Sequence, residues 1–196
     1  MKKIDINIGV SNRHVHLKEE DLKKLFGEDF TLEKVKDLTQ PGEFASNAKV
    51  TIKTEKSIIE NVRVLGPTRN YTQVEISKTD AFKLGINPPV RDSGDITESA
   101  KVTLIGPAGE IELNEGCIIA TRHIHLTNED VLKYGLEGLK YVDVLFEGEK
   151  GGILKNVSLK VNDNYVFELH IDTDDANAHL ISQGDIGTIL IGDNNE

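Results

Sequence analysis

The stretch Arg13-His14-Val15-His16-Leu17 recurs as Arg122-His123-Ile124-His125-Leu126. The two pentads hold four of the six histidines in the chain. Each follows an apolar, strand-like run, and each is followed at the same offset by an acidic pair, Glu20-Asp21 or Glu129-Asp130. In a strand, residues i and i+2 point the same way, so both imidazoles of a His-x-His pair can grip one ion. The repeat reads as two halves of one metal-dependent active site. The rest of the chain supplies the remaining ligands and the substrate pocket.

Outward from the first pentad, Ile4, Ile6, Ile8 and Val10 alternate as a half-buried strand does. Lys18 to Phe26 reads as a short helix stopped by Gly27. Period-two alternation returns at Val50 and Ile52, at Ile59 to Leu65 and at Thr72 to Ser77, with Gly66-Pro67 as a turn between the last two. A helix from Thr79 to Leu84 follows. Val102 to Ile105 and Ile111 to Ala120 then read as strands. After the second pentad, Thr127 starts a helix with Asp130 at the reciprocal capping position and Gly135 at its end. Tyr141 to Phe146, Ile153 to Asn162, Tyr165 to Thr173 and Gly187 to Ile191 complete the strands, with a short helix from Asp174 to Leu180. Short strands, Gly-rich turns and only short helices predict small β-barrels rather than a βαβ sheet.

The duplication extends past the pentads. His14 and His123 are 109 residues apart. A second block, Glu75-Ile76-Ser77 with Asp80-Ala81, matches His170-Ile171-Asp172 with Asp175-Ala176 at a shift of 95, so the first copy carries a 14-residue insertion between its blocks. Glu75 thus corresponds to His170. Two His-x-His pairs and two further donors make two sets of three, and one set could be His-His-Glu while the other is His-His-His. A third protein ligand leaves a position open for water or substrate, as in catalytic zinc sites. Imidazole and carboxylate without thiolate suit zinc, but also cobalt, manganese or iron. His179 has no counterpart and reads as a helix-surface residue. The two copies differ in their arginines. Arg63 and Arg69 fall opposite Ser158 and Asn164, so only the first copy carries them. A guanidinium beside a metal is a good phosphate seat. Arg91 is a second anion-site candidate.

The 196 residues suit one domain or two small ones. A net charge of -10 argues against non-specific nucleic-acid binding but not against an anionic substrate met by a local arginine cluster. No apolar run approaches the roughly 20 residues that span a bilayer. The start of the chain lacks the apolar core of a signal peptide. The single cysteine, Cys117, lies in an apolar run as a buried, inert thiol and fits a reducing cytoplasm. No Walker loop, GxGxxG, GxSxG or CxxC motif is present.

At these residues the sequence resembles the PduL-type phosphotransacylases, or phosphate propanoyltransferases. The motifs that carry the resemblance are Val10 to Leu17, Gln40-Pro41-Gly42-Glu43-Phe44-Ala45, Val62 to Arg69, Thr72 to Ser77, Thr79-Asp80-Ala81, Pro89 to Asp95, Arg122 to Leu126 and His170 to Ala178. The resemblance implies a mainly β fold, with two tandem β-barrels, short capping helices and a dinuclear zinc site between the barrels. It assigns residues 3–12 plus 121–192 to one barrel and 13–120 to the other, because in the family the first strand joins the barrel built mainly from the C-terminal half. It implies a crossed ligand set, with His123, His125 and Glu75 on one zinc and His14, His16 and His170 on the other. It assigns Arg69 to phosphate and catalysis, Ser93 to a position near the active site, and Ser11, Lys36, Arg63, Leu65 and Asn177 to the coenzyme A pocket.

The activity so implied is reversible phosphate acyl transfer: a short-chain acyl-CoA, acetyl or propanoyl, plus phosphate gives acyl phosphate plus CoA. The expected cofactors are two Zn2+ ions, or other divalent metals, and the substrates are acyl-CoA and phosphate, with no nucleic acid and no membrane partner. A homo-oligomer is expected. Many microcompartment members carry an amphipathic N-terminal extension; here the first strand begins within a few residues of Met1, which favours a free cytoplasmic enzyme. Two rivals remain on the sequence: a thioester or amide hydrolase that uses the two ions to activate water, and a non-catalytic cupin, whose pattern His14, His16, Glu20 and Gly27 fits in part.

Overall fold

A computed structural model describes residues 2–192. In chain order the elements are β1 (Lys2–Ser11), β2 (His14–Lys18), α1 (Glu19–Phe26), β3 (Lys34–Asp37), β4 (Phe44–Lys53), β5 (Ile58–Arg69), β6 (Gln73–Glu75), α2 (Lys78–Leu84) and β7 (Val90–Arg91). They continue with β8 (Ala100–Ile105), β9 (Glu110–Ala120), β10 (His123–Leu126), α3 (Asn128–Tyr134), β11 (Tyr141–Phe146), β12 (Gly152–Val161), β13 (Glu168–Asp172), α4 (Thr173–His179) and β14 (Ile186–Ile191). The chain divides into two compact units. Unit 1 comprises the described residues up to Ser11 and from Thr121, and unit 2 runs from Asn12 to Ala120.

Unit 1 is a closed barrel of β1-β13-β10-β12-β11-β14. Unit 2 closes the same ring as β9-β6-β2-β5-β4-β8, with β3 and β7 added at its margins. Each pairing in one ring has its counterpart, with the same sense, in the other. For example, β2 is parallel to β5 and antiparallel to β6, as β10 is to β12 and β13. The strand that leads into each pentad belongs to the ring of the other copy: β1 pairs with β13, and β9 pairs with β6. The extra length of the first copy lies mostly between α1 and β4, where residues 27–43 stand against 135–140.

Each unit has its own core. Val15, Val64 and Val74 lie in register across β2, β5 and β6 and are buried in unit 2. Ile124, Leu169 and Ile8 do the same in unit 1. Because strand side chains alternate, burying these residues inside the ring sends His14, His16, His123 and His125 to its outer face. Capping boxes open α2 (Ser77 with Asp80) and α3 (Thr127 with Asp130). Asp172 caps α4 through the Asp174 and Asp175 amides. Among the described residues no helix is long and apolar enough to cross a membrane.

The structure corrects the sequence reading at two strands. β5 does not turn at Gly66-Pro67 but runs on to Arg69 and pairs again with Lys18 after a register shift. Gly66 serves a close approach instead: it faces Phe44 across the β4–β5 pair, and a Cβ there would lie 2.2 Å from Phe44 Cζ. The last long strand is also shorter than expected, because β13 starts at Glu168 rather than Tyr165. Gly66→Ala should displace the Phe44 ring and destabilise the fold by about 1–3 kcal/mol, measured by denaturant unfolding. An unchanged midpoint would show that the ring is free to move aside.

Candidate metal and anion site

Two sets of donor side chains come together, each within one unit: His14, His16 and Glu75 in unit 2, and His123, His125 and His170 in unit 1. Within each set the donor atoms lie within 4.8 Å of one another. The donors therefore group within each unit and not in the crossed pairing that the resemblance implies, and strand register gives the reason. His14 is directly opposite Glu75 on β6, and His123 is directly opposite His170 on β13. Opposed residues on adjacent antiparallel strands share a face. What the two copies exchange is the lead strand, not the third donor.

The second coordination of these rings is built in. The Nδ1–H of His14 donates to Asn12 O at 2.8 Å, and that of His123 to Thr121 O at 2.7 Å. In each ring this leaves the Nε2 lone pair for the site. His14 Nε2 lies 3.5 Å from Glu75 Oε2. The Nδ1 atoms of His16 and His125 are buried and have no hydrogen-bond partner among the described residues. An orphaned imidazole nitrogen in each trio fits a ligand atom whose partner is a cation. His125 also stacks on Tyr165 at 4.0 Å.

The arginine of each pentad holds the helix that follows the third donor. Arg13 makes a two-pronged contact with buried Asp80 of α2, at 2.8 and 2.7 Å. Its counterpart Arg122 lies 3.4 Å from Asp175 of α4. Burial pushes the Asp175 carboxyl above the usual range, and Arg122 opposes it. Sequence reading left both arginines without a role. The signal was the matched Asp80 and Asp175, already part of the second repeated block.

Arg69 sits at the centre of a polar network in unit 2. Its Nη2 donates to Glu43 Oε1 at 2.8 Å, and its Nη1 donates to Tyr71 Oη at 3.1 Å and to Ser93 Oγ at 3.2 Å. Gln73 Nε2 donates to Glu75 Oε1 at 2.6 Å and to Ser93 Oγ at 3.0 Å, while the Gly94 amide donates to Gln73 Oε1. The Ser93-Gly94 turn is thereby tied to the third donor of the trio. Glu43, Tyr71 and Gln73 were not expected here. Arg91 is instead held by its neighbours Asp95 and Val90 O. Lys36, Leu65 and His16 fall in one cross-strand row through Ala45, and Arg63 is opposite His14, so these residues share the histidine face of unit 2. Ser11 and Asn177 belong to unit 1, where Ser11 is opposite Asp172, the cap of the helix that carries Asn177. His179 is not a plain surface residue: its ring packs edge-on to Phe146 and its Nδ1 meets Lys150 O.

Burial, with lesser contributions from His14 and Arg69, holds His16 well below the ordinary imidazole range. Burial does the same to His123 and brings His125 down to about 3, with Lys160 and His170 adding to both. The neutral rings so favoured are the form that binds metal. Burial pushes the Cys117 thiol up to about 12, so it is no nucleophile at neutral pH. For these histidines the unfolded chain binds protons below about pH 6.5 while the folded chain does not. Stability of the chelated protein is therefore full above pH 6.5 and should fall as pH drops from there toward 3. His125→Asn should flatten that fall in pH-dependent urea unfolding; an identical profile would remove the buried ring as its source.

The chain matches the family model for phosphate propanoyltransferase over residues 7–182. It is 50% identical over 190 residues to a phosphate propanoyltransferase of Thermotoga maritima, covering 96% of this chain and 90% of the relative. It is 50% identical over 186 residues to one of Priestia megaterium, with 95% and 86% covered. For one of Rhodobacter capsulatus the figures are 45% over 173 residues, with 88% and 80% covered. With the ring pairing, the paired histidine trios and the Arg69 network in place, these matches place the chain in the phosphate propanoyltransferase family, as a phosphate acyltransferase.

Proposed function

We propose that this protein reversibly transfers a short acyl group, propanoyl or acetyl, between coenzyme A and phosphate, with one divalent ion, zinc by preference, held by each donor trio. The observation that carries the metal reading is the pair of buried, unpartnered Nδ1 atoms at His16 and His125. When bound, such ions supply Lewis-acid polarisation of a carbonyl and stabilise a thiolate. The residues of the chain do the rest.

Arg69 seats the phosphate. Its fork is held in orientation by Tyr71 and Ser93, and Glu43 occupies the outer nitrogen. An incoming phosphate dianion takes over that nitrogen and displaces Glu43. Ser93 adds a hydroxyl to the same seat. Arg63, Lys36 and Leu65 line the unit 2 face for coenzyme A. A phosphate oxygen attacks the thioester carbonyl, the C–S bond breaks, and CoA leaves as the thiolate. Direct attack fits the buried Cys117, which offers no acyl-enzyme route. Orientation of the two reactants and charge on the tetrahedral intermediate are what the site must manage. The protein is taken to act in the cytoplasm as a homo-oligomer.

The reaction is tested by incubating metal-loaded protein with acetyl-, propanoyl- and butanoyl-CoA and trapping acyl phosphate as the hydroxamate. Product should appear only when phosphate is present; thioester loss indifferent to phosphate would sink the transfer reading. Arg69→Ala should raise the phosphate KM or lower kcat by 10- to 100-fold, on the order of an oriented charged contact, with metal content intact. Wild-type phosphate kinetics would remove Arg69 from the role. Replacing His14 and Glu75 together with Ala should abolish one bound ion and leave the other, read by elemental analysis. A crossed arrangement would weaken both.

A further inference from the structure

Glu168 takes no part in the reaction as described, yet the residue is only 5% exposed and lies on the histidine face of unit 1. It is two residues before His170 on β13 and directly opposite His125 on β10. Its Oε2 is 3.1 Å from His170 Nε2. The 95-residue repeat lays Glu168 on Gln73, so both units carry the same four-position frame. Two histidines stand on one strand. A third donor stands on the antiparallel neighbour, with a polar side chain two residues before it. In unit 2 the third donor is a carboxylate, Glu75, and its neighbour Gln73 offers an amide N–H. In unit 1 the third donor is an imidazole, His170, and its neighbour Glu168 offers a carboxylate. Each frame carries one carboxylate, at exchanged positions.

Gly9 is an independent sign that this carboxylate is accommodated. It is opposite His170 on β1, and a Cβ there would lie 3.0 Å from Glu168 Oε2 and 3.1 Å from its Cδ. The missing side chain is the room the carboxylate occupies. Lys160, in register with His125, lays positive charge on the same face and acts on both His123 and His125. The charge of Lys160 opposes a divalent cation at this trio, and a carboxylate on the same face offsets it.

We propose that Glu168 is a positioning residue of the unit 1 site: it holds the His170 ring and supplies the negative charge that the three imidazoles lack toward a divalent ion. The proposal rests on the metal reading above. Outer carboxylates of this kind alter metal affinity by about 10- to 100-fold.

The test titrates chelated wild-type, Glu168→Gln and Gly9→Ala proteins with Zn2+ against a chromophoric chelator, and compares their urea unfolding with and without metal. Wild type should take two ions. Glu168→Gln should keep one at wild-type affinity and bind the other about 10- to 100-fold more weakly. Gly9→Ala leaves the charge in place but crowds the carboxylate, and should weaken the same ion; it keeps the proposal falsifiable if the Gln variant fails to fold. Two ions bound at wild-type affinity by both variants would overturn the proposal. So would a loss of stability in chelated Glu168→Gln as large as in its loaded form, since that marks a residue of the fold rather than of the site. A wild-type protein that binds no ion would overturn the metal reading itself, and this proposal with it.

Discussion

The constraint on which the rest of this structure depends is a buried imidazole nitrogen, once in each unit, without a partner among the described residues. Leaving such an atom unsatisfied costs about 1–3 kcal/mol, a sizeable share of what holds a small domain folded. The surrounding chain nonetheless fixes it in place. The neighbouring rings at His14 and His123 are anchored by backbone carbonyls, and the third donors are set opposite them by strand register. A cation is what would satisfy three donors brought to one point in this way.

Register is the means. Inside each ring, valines and isoleucines in adjacent strands fill the core, and alternation then leaves no choice about where the histidines point. A slip of one residue in β2 or β10 would turn both histidines inward and a core residue outward. The arginine of each pentad adds a second restraint, tying the helix beyond the third donor to the strand of the first two. The lead strands are exchanged between rings, so unit 1 closes only when β1 meets β13 and β14, at the opposite end of the chain. Unit 2 is contiguous from Asn12 to Ala120 and has no such long loop to close.

Much of this was legible in the sequence. The pentads, the second repeated block and the correspondence of Glu75 with His170 together name all six trio residues, because a two-residue spacing in a strand has one geometric meaning. The barrel class followed from strand length and turn chemistry. The partition of the trios did not follow, since it depends on which strands lie side by side: the resemblance implied a crossed set, whereas register puts each third donor opposite a histidine of its own unit. The role of Gly66 was also hidden, because Gly-Pro in isolation reads as a turn, whereas here the glycine makes room for the Phe44 ring across the sheet. Glu43 and Tyr71 could not be placed beside Arg69 from spacing alone; they reach it from a loop and a strand end. Gln73 and Glu168 were within reach of the sequence, as the residues two before each third donor on the same face.

The duplication supplied one frame twice, and a few positions decide what each copy can do. Arg63 stands where the other copy has Ser158, Arg69 where it has Asn164, Gln73 where it has Glu168, and Glu75 where it has His170. The first two exchanges give unit 2 a pair of guanidiniums that unit 1 lacks. The third gives unit 1 a carboxylate where unit 2 has a neutral amide. In a protein of net charge -10, an anionic substrate meets general repulsion, and a local pair of arginines is what reverses it at one face. On the proposed reading the anion seat belongs to unit 2. In unit 1 the carboxylate of Glu168 stands on the histidine face, in the same register as Lys160. Symmetry of the backbone and asymmetry of charge together set the two copies of the same motif apart.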